Sequence, residues 1–271
     1  MGTAPVNALE VVRPSSIDDA ISDFGDGVGV TVLGGGSILM VELVHNRLAP
    51  ERVLMLDRAD MAGVHTEGTR TTIGAMTPVA ELETAVEPLG TSARGVADRE
   101  IRAQATLGGN LCAPRAAESP RGDLQGPLIA LGAQVRSVGR GGERTEAVEE
   151  FLAGSTEARL VLDVSFEAPS ASASASVRRP HAHAYTILAV SGARTGGELR
   201  LAVCGAAPHA VRLTAVEQAL ADGADASGAA AHALDDASPA DDALASAWYR
   251  EQTLPVLVTR VLNELAIEES A

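Results

Sequence analysis

Two short runs in this 271-residue chain carry residues whose types and spacing could do chemistry. The first is Leu33-Gly34-Gly35-Gly36-Ser37-Ile38, placed where an alternating strand pattern hands over to an apolar stretch of helical character. Three glycines let the backbone turn tightly and aim several N–H groups at one point beside a helix start, so a pyrophosphate is a natural ligand and Ser37 adds a hydroxyl donor. The same cluster also suits a plain strand-to-helix turn. A third reading is a dinucleotide-binding βαβ unit, because Asp57 ends the next strand about twenty residues on, where a ribose-binding acid would stand. That reading has a defect: the fingerprint needs a third glycine where Leu39 stands.

The second run is Thr106-Leu107-Gly108-Gly109-Asn110, an adjacent glycine pair fenced by short hydrogen-bonding side chains that suit phosphate or ribityl oxygens. Its plain alternative is a loop. Asp123 follows just before a helical pattern and either accepts from sugar hydroxyls or caps that helix. No catalytic acid–base set or metal centre is predicted. Cys112 and Cys204 form neither a CxxC pair nor a cluster-binding set, so any iron–sulfur centre belongs to another chain. His181 and His183 share a strand face without a third ligand nearby and read as hydrogen-bonded histidines.

Composition removes several classes. All 21 basic residues are arginine, which excludes lysine Schiff-base chemistry and the phosphate-loop lysine of nucleotide triphosphatases. A formal charge of −15 with 2% aromatic residues argues against a nucleic-acid partner. Apolar runs such as Ile38 to Val44 are too short to cross a bilayer, and no basic region precedes an apolar core at the N-terminus. A soluble, cytoplasmic protein is expected.

The elements that must position the two runs read as mixed α and β. Helical spacing runs from Ser15 to Phe24, and strands are predicted at Val28 to Val32, Val53 to Leu56 and Thr71 to Ala75. Thr77 and Pro78 read as the cap and first residue of a helix, Leu89 to Asp98 as another, and Leu124 to Leu131 as a helical stripe closed by Gly132. A hairpin follows at Gln134 to Val138 and Glu143 to Val148, then the apolar strand Arg159 to Phe166. Residues 168–178 are so rich in Ala and Ser that they read as a linker. Beyond it, strands at Ala184 to Val190 and Glu198 to Ala206 precede helical patterns at Val211 to Ala221 and from Asp241, with Pro255 expected to kink or divide the last.

In this order the pieces resemble the FAD-binding medium subunit of the xanthine dehydrogenase and carbon monoxide dehydrogenase family of molybdenum hydroxylases. The resemblance rests on Leu33-Gly34-Gly35-Gly36-Ser37, on Ile73-Gly74-Ala75-Met76-Thr77 with Glu81-Leu82, and on Ile101-Arg102 before Thr106-Leu107-Gly108-Gly109-Asn110-Leu111. It continues through Asp123 with Leu128 to Ala133 and resumes at Trp248-Tyr249-Arg250. It implies an α+β fold. Residues 1–167 would form a PCMH-type FAD-binding domain of two α/β lobes, about 1–56 and 57–167, and residues 179–271 a smaller α+β domain with a small antiparallel sheet and helices.

The resemblance further implies that residues 33–37 and 106–110 wrap the FAD pyrophosphate from two sides, with Ile38 also at the cofactor, while Asp123 holds cofactor hydroxyls. Val96 and Ala97 align near the cofactor in relatives, and Leu160 or Leu162 with a residue lining its rings. Tyr185 is either the residue against the isoalloxazine face or an ordinary strand tyrosine, and the lysine that relatives carry before it is absent. The implied partners are an iron–sulfur small subunit, a molybdopterin-binding large subunit and a terminal electron acceptor. Two rivals stand beside this reading: an NAD-dependent Rossmann-type dehydrogenase, and a flavin-free scaffold subunit of the same complex.

Overall fold

The computed structural model describes residues 9–113, 122–154, 157–179 and 185–268. The first lobe runs β1 (Glu10–Val12), α1 (Ile17–Phe24), β2 (Val30–Leu33), α2 (Leu39–Val44) and β3 (Arg52–Met55). Its three strands lie parallel in the order β1-β3-β2. Parallel pairing requires a crossover, and α1 and α2 supply it. Ser16 caps α1 by accepting from the Asp19 N–H at 3.1 Å, and the buried Ala20 and Phe24 turn its apolar face to the core.

The second lobe contains β4 (Val64–Glu67), β5 (Arg70–Gly74), α3 (Leu89–Gly95), α4 (Arg99–Gln104), α5 (Leu107–Leu111), α6 (Gln125–Ala130), β6 (Gln134–Gly139), β7 (Gly142–Ala147), α7 (Val148–Ala153) and β8 (Arg159–Glu167). Its sheet is antiparallel in the order β4-β5-β8-β6-β7, so β8 is central, with Leu160, Leu162, Val164 and Phe166 buried. Phe24 and Leu54 of the first lobe share one hydrophobic core with Ile73, Leu128, Leu162 and Phe166 of the second.

The C-terminal domain places β9 (Ala171–Arg178), β10 (Thr186–Thr195), β11 (Glu198–Cys204) and β12 (Val211–Arg212) in an antiparallel sheet ordered β12-β11-β10-β9. The helices α8 (Thr214–Ala221), α9 (Ala226–Ala230) and α10 (Ala247–Glu268) complete it. A second core joins Leu188, Val190, Leu201 and Val203 to Leu254, Leu257, Val258 and Val261 of α10.

Four local expectations change. Residues 171–178 form the eight-residue strand β9, paired along β10 from Ala171↔Arg194 to Arg178↔Thr186, where a linker was expected. The reason is its Ala-Ser alternation, which buries Ala171 and Ala173 while Ser172 and Ser174 stay half-buried. Thr77 caps no helix, because its hydroxyl accepts from the Gly63 N–H at 2.9 Å and donates to the Gly63 carbonyl at 3.0 Å. A 3-10 turn, Val79–Thr84, follows Pro78 instead. Helix α3 ends at Gly95 rather than Asp98, which itself caps α4. Helix α10 runs through Pro255 undivided.

Candidate functional site

The C-terminal end of β2 delivers the first glycine run. The Leu33 carbonyl accepts from the Leu56 N–H at 3.0 Å, the last bond between these strands, and the chain then turns through Gly34, Gly35 and Gly36. Gly36 has φ +73, a conformation that disfavours any side chain, so the turn needs glycine there. Among the described residues, the main-chain N–H groups of Gly34, Gly35, Gly36 and Ser37 have no acceptor within the chain. These residues and Ile38 are half-buried. Polar groups left so are normally satisfied by something else.

The opposite wall is the segment Gln104 to Asn110. A Cβ built on Gly35 would lie well inside contact distance of the Gln104 carbonyl oxygen and 3.1 Å from the Ala105 Cα, and one on Gly34 would lie 3.0 Å from Thr106 Oγ1. The first glycine run therefore packs at close quarters against Gln104 to Thr106, just ahead of the second run's glycines.

The second run differs from the irregular segment expected. Leu107 to Leu111 is helix α5, capped by Thr106, whose Oγ1 accepts from the Gly109 N–H at 3.2 Å. The Leu107 N–H donates to the Thr77 carbonyl (2.9 Å), Gly108 to Ala75 (2.8 Å) and Asn110 to Thr106 (2.9 Å). Donors spent inside the chain are not available to an anion. This run supplies close contact and the Thr106 hydroxyl, not a second set of main-chain donors.

Asn110 carries the site one step further. Its buried Oδ1 accepts from the Leu124 N–H at 2.9 Å, fixing the turn that bears Asp123. Gln125, also buried, donates to the Leu111 carbonyl at 2.8 Å and accepts from the Ala210 N–H at 3.0 Å. The Gly126 N–H reaches Cys204 Sγ of β11 at 3.2 Å. The Asp123 turn is thus held by α5 on one side and by the C-terminal domain on the other. Asp123 does not cap α6, whose N-cap position is Leu124.

Two openings meet at the first glycine run. A cavity of about 580 Å³ is lined by Gly34, Gly35, Asp57, Met76, Gln104 and Thr106, among others. A narrow crevice lies between Ser37, Ile38, Ala97, Asn110, Asp123 and Tyr185. Tyr185 precedes β10 rather than lying in it, which brings it to the crevice rather than to a strand face. Leu107 and Leu160 are not brought to either opening. Leu107 is fully buried on α5, and Leu160 is buried in the central strand β8. Leu162 is buried in the same strand. His181 and His183 lie outside the described residues. Among those described, no group of three metal-ligating side chains occurs.

Asp57 is committed elsewhere. Arg13 holds it through two hydrogen bonds, Nε to Oδ1 at 2.8 Å and Nη2 to Oδ2, and this partner keeps its carboxyl below the usual range. With Leu39 in place of the third glycine, nothing favours the ribose-binding reading of Asp57. A depressed folded-state pKa means that the pair's contribution is complete above the unfolded carboxylate value, about 3.9, and vanishes as pH falls through the folded value. The melting curves of wild type and Asp57→Asn are therefore expected to differ slightly near neutral pH and to converge in acid. The variant should keep any cofactor bound at the Gly34–Ser37 run.

Arg102 and Gln125 also shape this region without a site signal of their own: Arg102 belongs to the Ile101-Arg102 pair, and Gln125 has only its place after Asp123.

Comparison with known proteins decides the family. Residues 7–166 match the model of the FAD binding domain in molybdopterin dehydrogenase, and residues 171–265 match that of the CO dehydrogenase flavoprotein C-terminal domain. The chain belongs to the FAD-binding medium subunits of the carbon monoxide and xanthine dehydrogenase family. This flavoprotein subunit is 25% identical to the carbon monoxide dehydrogenase medium chain of Hydrogenophaga pseudoflava over 94% of its own length and 96% of that chain. It is 28% identical to the caffeine dehydrogenase subunit beta of a Pseudomonas species, over 58% of this chain and 55% of that relative. The fold matches a structure of the Hydrogenophaga pseudoflava carbon monoxide dehydrogenase with a TM-score of 0.81 at 24% identity, covering 96% of this chain and 98% of that one. The cofactor of the subunit is FAD, and the subunit is part of an oxidoreductase. Among the described residues no helix is long and apolar enough to cross a membrane.

Proposed function

We propose that this subunit carries FAD between an iron–sulfur subunit and a terminal electron acceptor, in a cytoplasmic complex whose molybdopterin subunit oxidises the substrate. One observation carries the cofactor's placement: the unpaired N–H groups of Gly34 to Ser37 stand against the Gln104–Thr106 wall, at the edge of a cavity large enough for part of a dinucleotide. Neutral donors fixed in place hold a diphosphate without a mobile cation, which suits a chain with no lysine.

The main-chain amides of Gly34, Gly35, Gly36 and Ser37 would bind the diphosphate, with the hydroxyls of Ser37 and Thr106 as further donors. Asp123, held by its doubly anchored turn, would accept from sugar or ribityl hydroxyls. Tyr185 would cover the ring system and exclude water from it. When bound, FAD supplies the redox chemistry by storing two electrons and releasing them singly or as a pair. The chain's own task is to bind, orient and shield.

Purification of the assembled complex, denaturation, and absorbance and fluorescence spectra of the released material test the reading. One FAD per medium subunit is expected. A fully assembled complex that releases none would leave a scaffold role instead.

A further inference from the structure

We infer that Arg102 is a positioning residue for the cofactor, acting by clamping a strained turn that forms one wall of the crevice containing Asp123 and Tyr185. The inference rests on the FAD reading above. The turn is Val96-Ala97, between the end of α3 and the Asp98 cap of α4. Ala97 has φ +39, in the left-handed region that residues with a Cβ avoid. Such a conformation persists only where its surroundings over-determine it, and it concentrates at ligand sites. Ala97 also lines the crevice, together with Val96 and Ile101.

The surroundings that impose it are on α4. Asp98 accepts from the Ile101 N–H at 2.8 Å and starts the helix immediately after the strained residue. One turn further on, Arg102 reaches back. Its Nη1 donates to the Val96 carbonyl at 3.0 Å and to the Ala97 carbonyl at 3.2 Å, while Nε donates to Glu83 Oε1 at 2.6 Å. The Arg102 side chain is only 16% exposed and Glu83 31%, so these bonds are largely shielded from water. One guanidinium therefore holds both carbonyls of the turn, and Glu83 on the preceding 3-10 turn holds the guanidinium. Only a planar fork reaches three acceptors in this way, which lysine cannot reproduce. With the clamp gone, Ala97 is free to relax to negative φ, and the crevice wall beside Ser37, Ile38 and Asp123 shifts with it.

The test uses the assembled complex in three forms: wild type, Arg102→Gln, and Arg102→Gln with Ala97→Gly. Three quantities are read: hydrogen exchange at residues 96–98, the rate of FAD release on dilution, and the visible circular dichroism of bound flavin. Arg102→Gln should speed exchange at the turn, release FAD at least ~10-fold faster, a factor equivalent to about 1.4 kcal/mol, and alter the flavin signal. Glycine adopts φ +39 without a Cβ penalty, so the double variant should recover much of the FAD retention.

Unchanged exchange in Arg102→Gln would overturn the clamp. Faster exchange with FAD retained and its signal unaltered would overturn the positioning role. A general loss of thermal stability that Ala97→Gly does not relieve would reduce Arg102 to a structural residue and equally overturn the inference. Absence of FAD from the wild-type complex is a separate outcome. It would overturn the flavin reading, and with it the positioning role, while the exchange data still decide whether the clamp exists.

Discussion

Gly35→Val is expected to strip FAD from the complex while leaving most of the fold in place. No rotamer of any side chain avoids the conflict, because the clash begins at the Cβ itself, against the Gln104 carbonyl oxygen and the Ala105 Cα of the facing segment. Both partners are backbone. The Ala105 N–H is tied to the Ile101 carbonyl at 2.7 Å and its carbonyl to the Val79 N–H at 2.8 Å, so the facing segment yields only by breaking helix α4 or the turn after Pro78. The glycine run has fewer ties and moves first. Overpacking of this kind costs about 1–3 kcal/mol, which corresponds to roughly 5- to 150-fold in affinity if it falls on the cofactor-binding loop.

Gly109→Val makes the comparison informative. A Cβ on Gly109 meets only Thr106 Oγ1, at 3.0 Å, although from sequence the two glycines are equivalent. FAD per subunit after extensive dialysis should therefore fall near zero for Gly35→Val and remain substantial for Gly109→Val. Far-ultraviolet circular dichroism should be near wild type in both. The reverse order would place the diphosphate on α5 and contradict the accounting of donors given above.

That contrast shows where sequence reading succeeds and where it stops. Glycine runs, the alternation of the β6–β7 hairpin and the apolar β8 are local patterns, and local patterns are set by backbone sterics and burial that any single segment displays. The donor inventory is not local. Gly108 and Gly109 look as open as Gly34 and Gly35 until Thr77 and Ala75, some thirty residues earlier, are seen to take the Leu107 and Gly108 hydrogens. Composition misled at β9. Ala and Ser signal a chain that cannot bury enough area, yet alternating small residues let α10 pack closely on that strand. Arg102 and Gln125 show a third kind of blindness, since each acts through carbonyls and amides, which no residue type announces. Leu160 shows the converse. An apolar residue in a central strand is far more often core than cofactor lining, and here it is core.

Arg250→Leu is expected to destabilise the C-terminal domain more than any surface change. Arg250 is fully buried at the start of α10, where Nη2 donates to Asp242 Oδ1 at 2.8 Å and Nη1 to the carbonyls of Ala240 (2.6 Å) and Ala245 (2.8 Å). Burial pulls its pKa below the usual arginine value, and the carboxylate and carbonyls are what keep the charge tolerable there. Removing the guanidinium takes the cation away from the Asp242 side chain, 3% exposed, whose Oδ1 then keeps the Leu244 and Ala245 N–H groups, and it takes a donor from the Ala240 carbonyl. Breaking such a pair from one side costs about 3–5 kcal/mol, enough to lower Tm by more than ~10 °C in a domain of this size.

Removing both charges, as in Arg250→Leu with Asp242→Asn, should restore part of the loss, because a buried carboxylate without its cation is the costliest remnant. The consequence reaches the cofactor. Arg250 Nε also approaches the Ile187 carbonyl at 3.4 Å, two residues after Tyr185, so a loosened α10 frees the start of β10 that presents this tyrosine to the crevice. Faster quenching of the bound flavin by iodide, at a temperature where the FAD-binding domain remains folded, is the expected signature. Equal protection of flavin in wild type and Arg250→Leu would show that Tyr185 does not depend on this anchor.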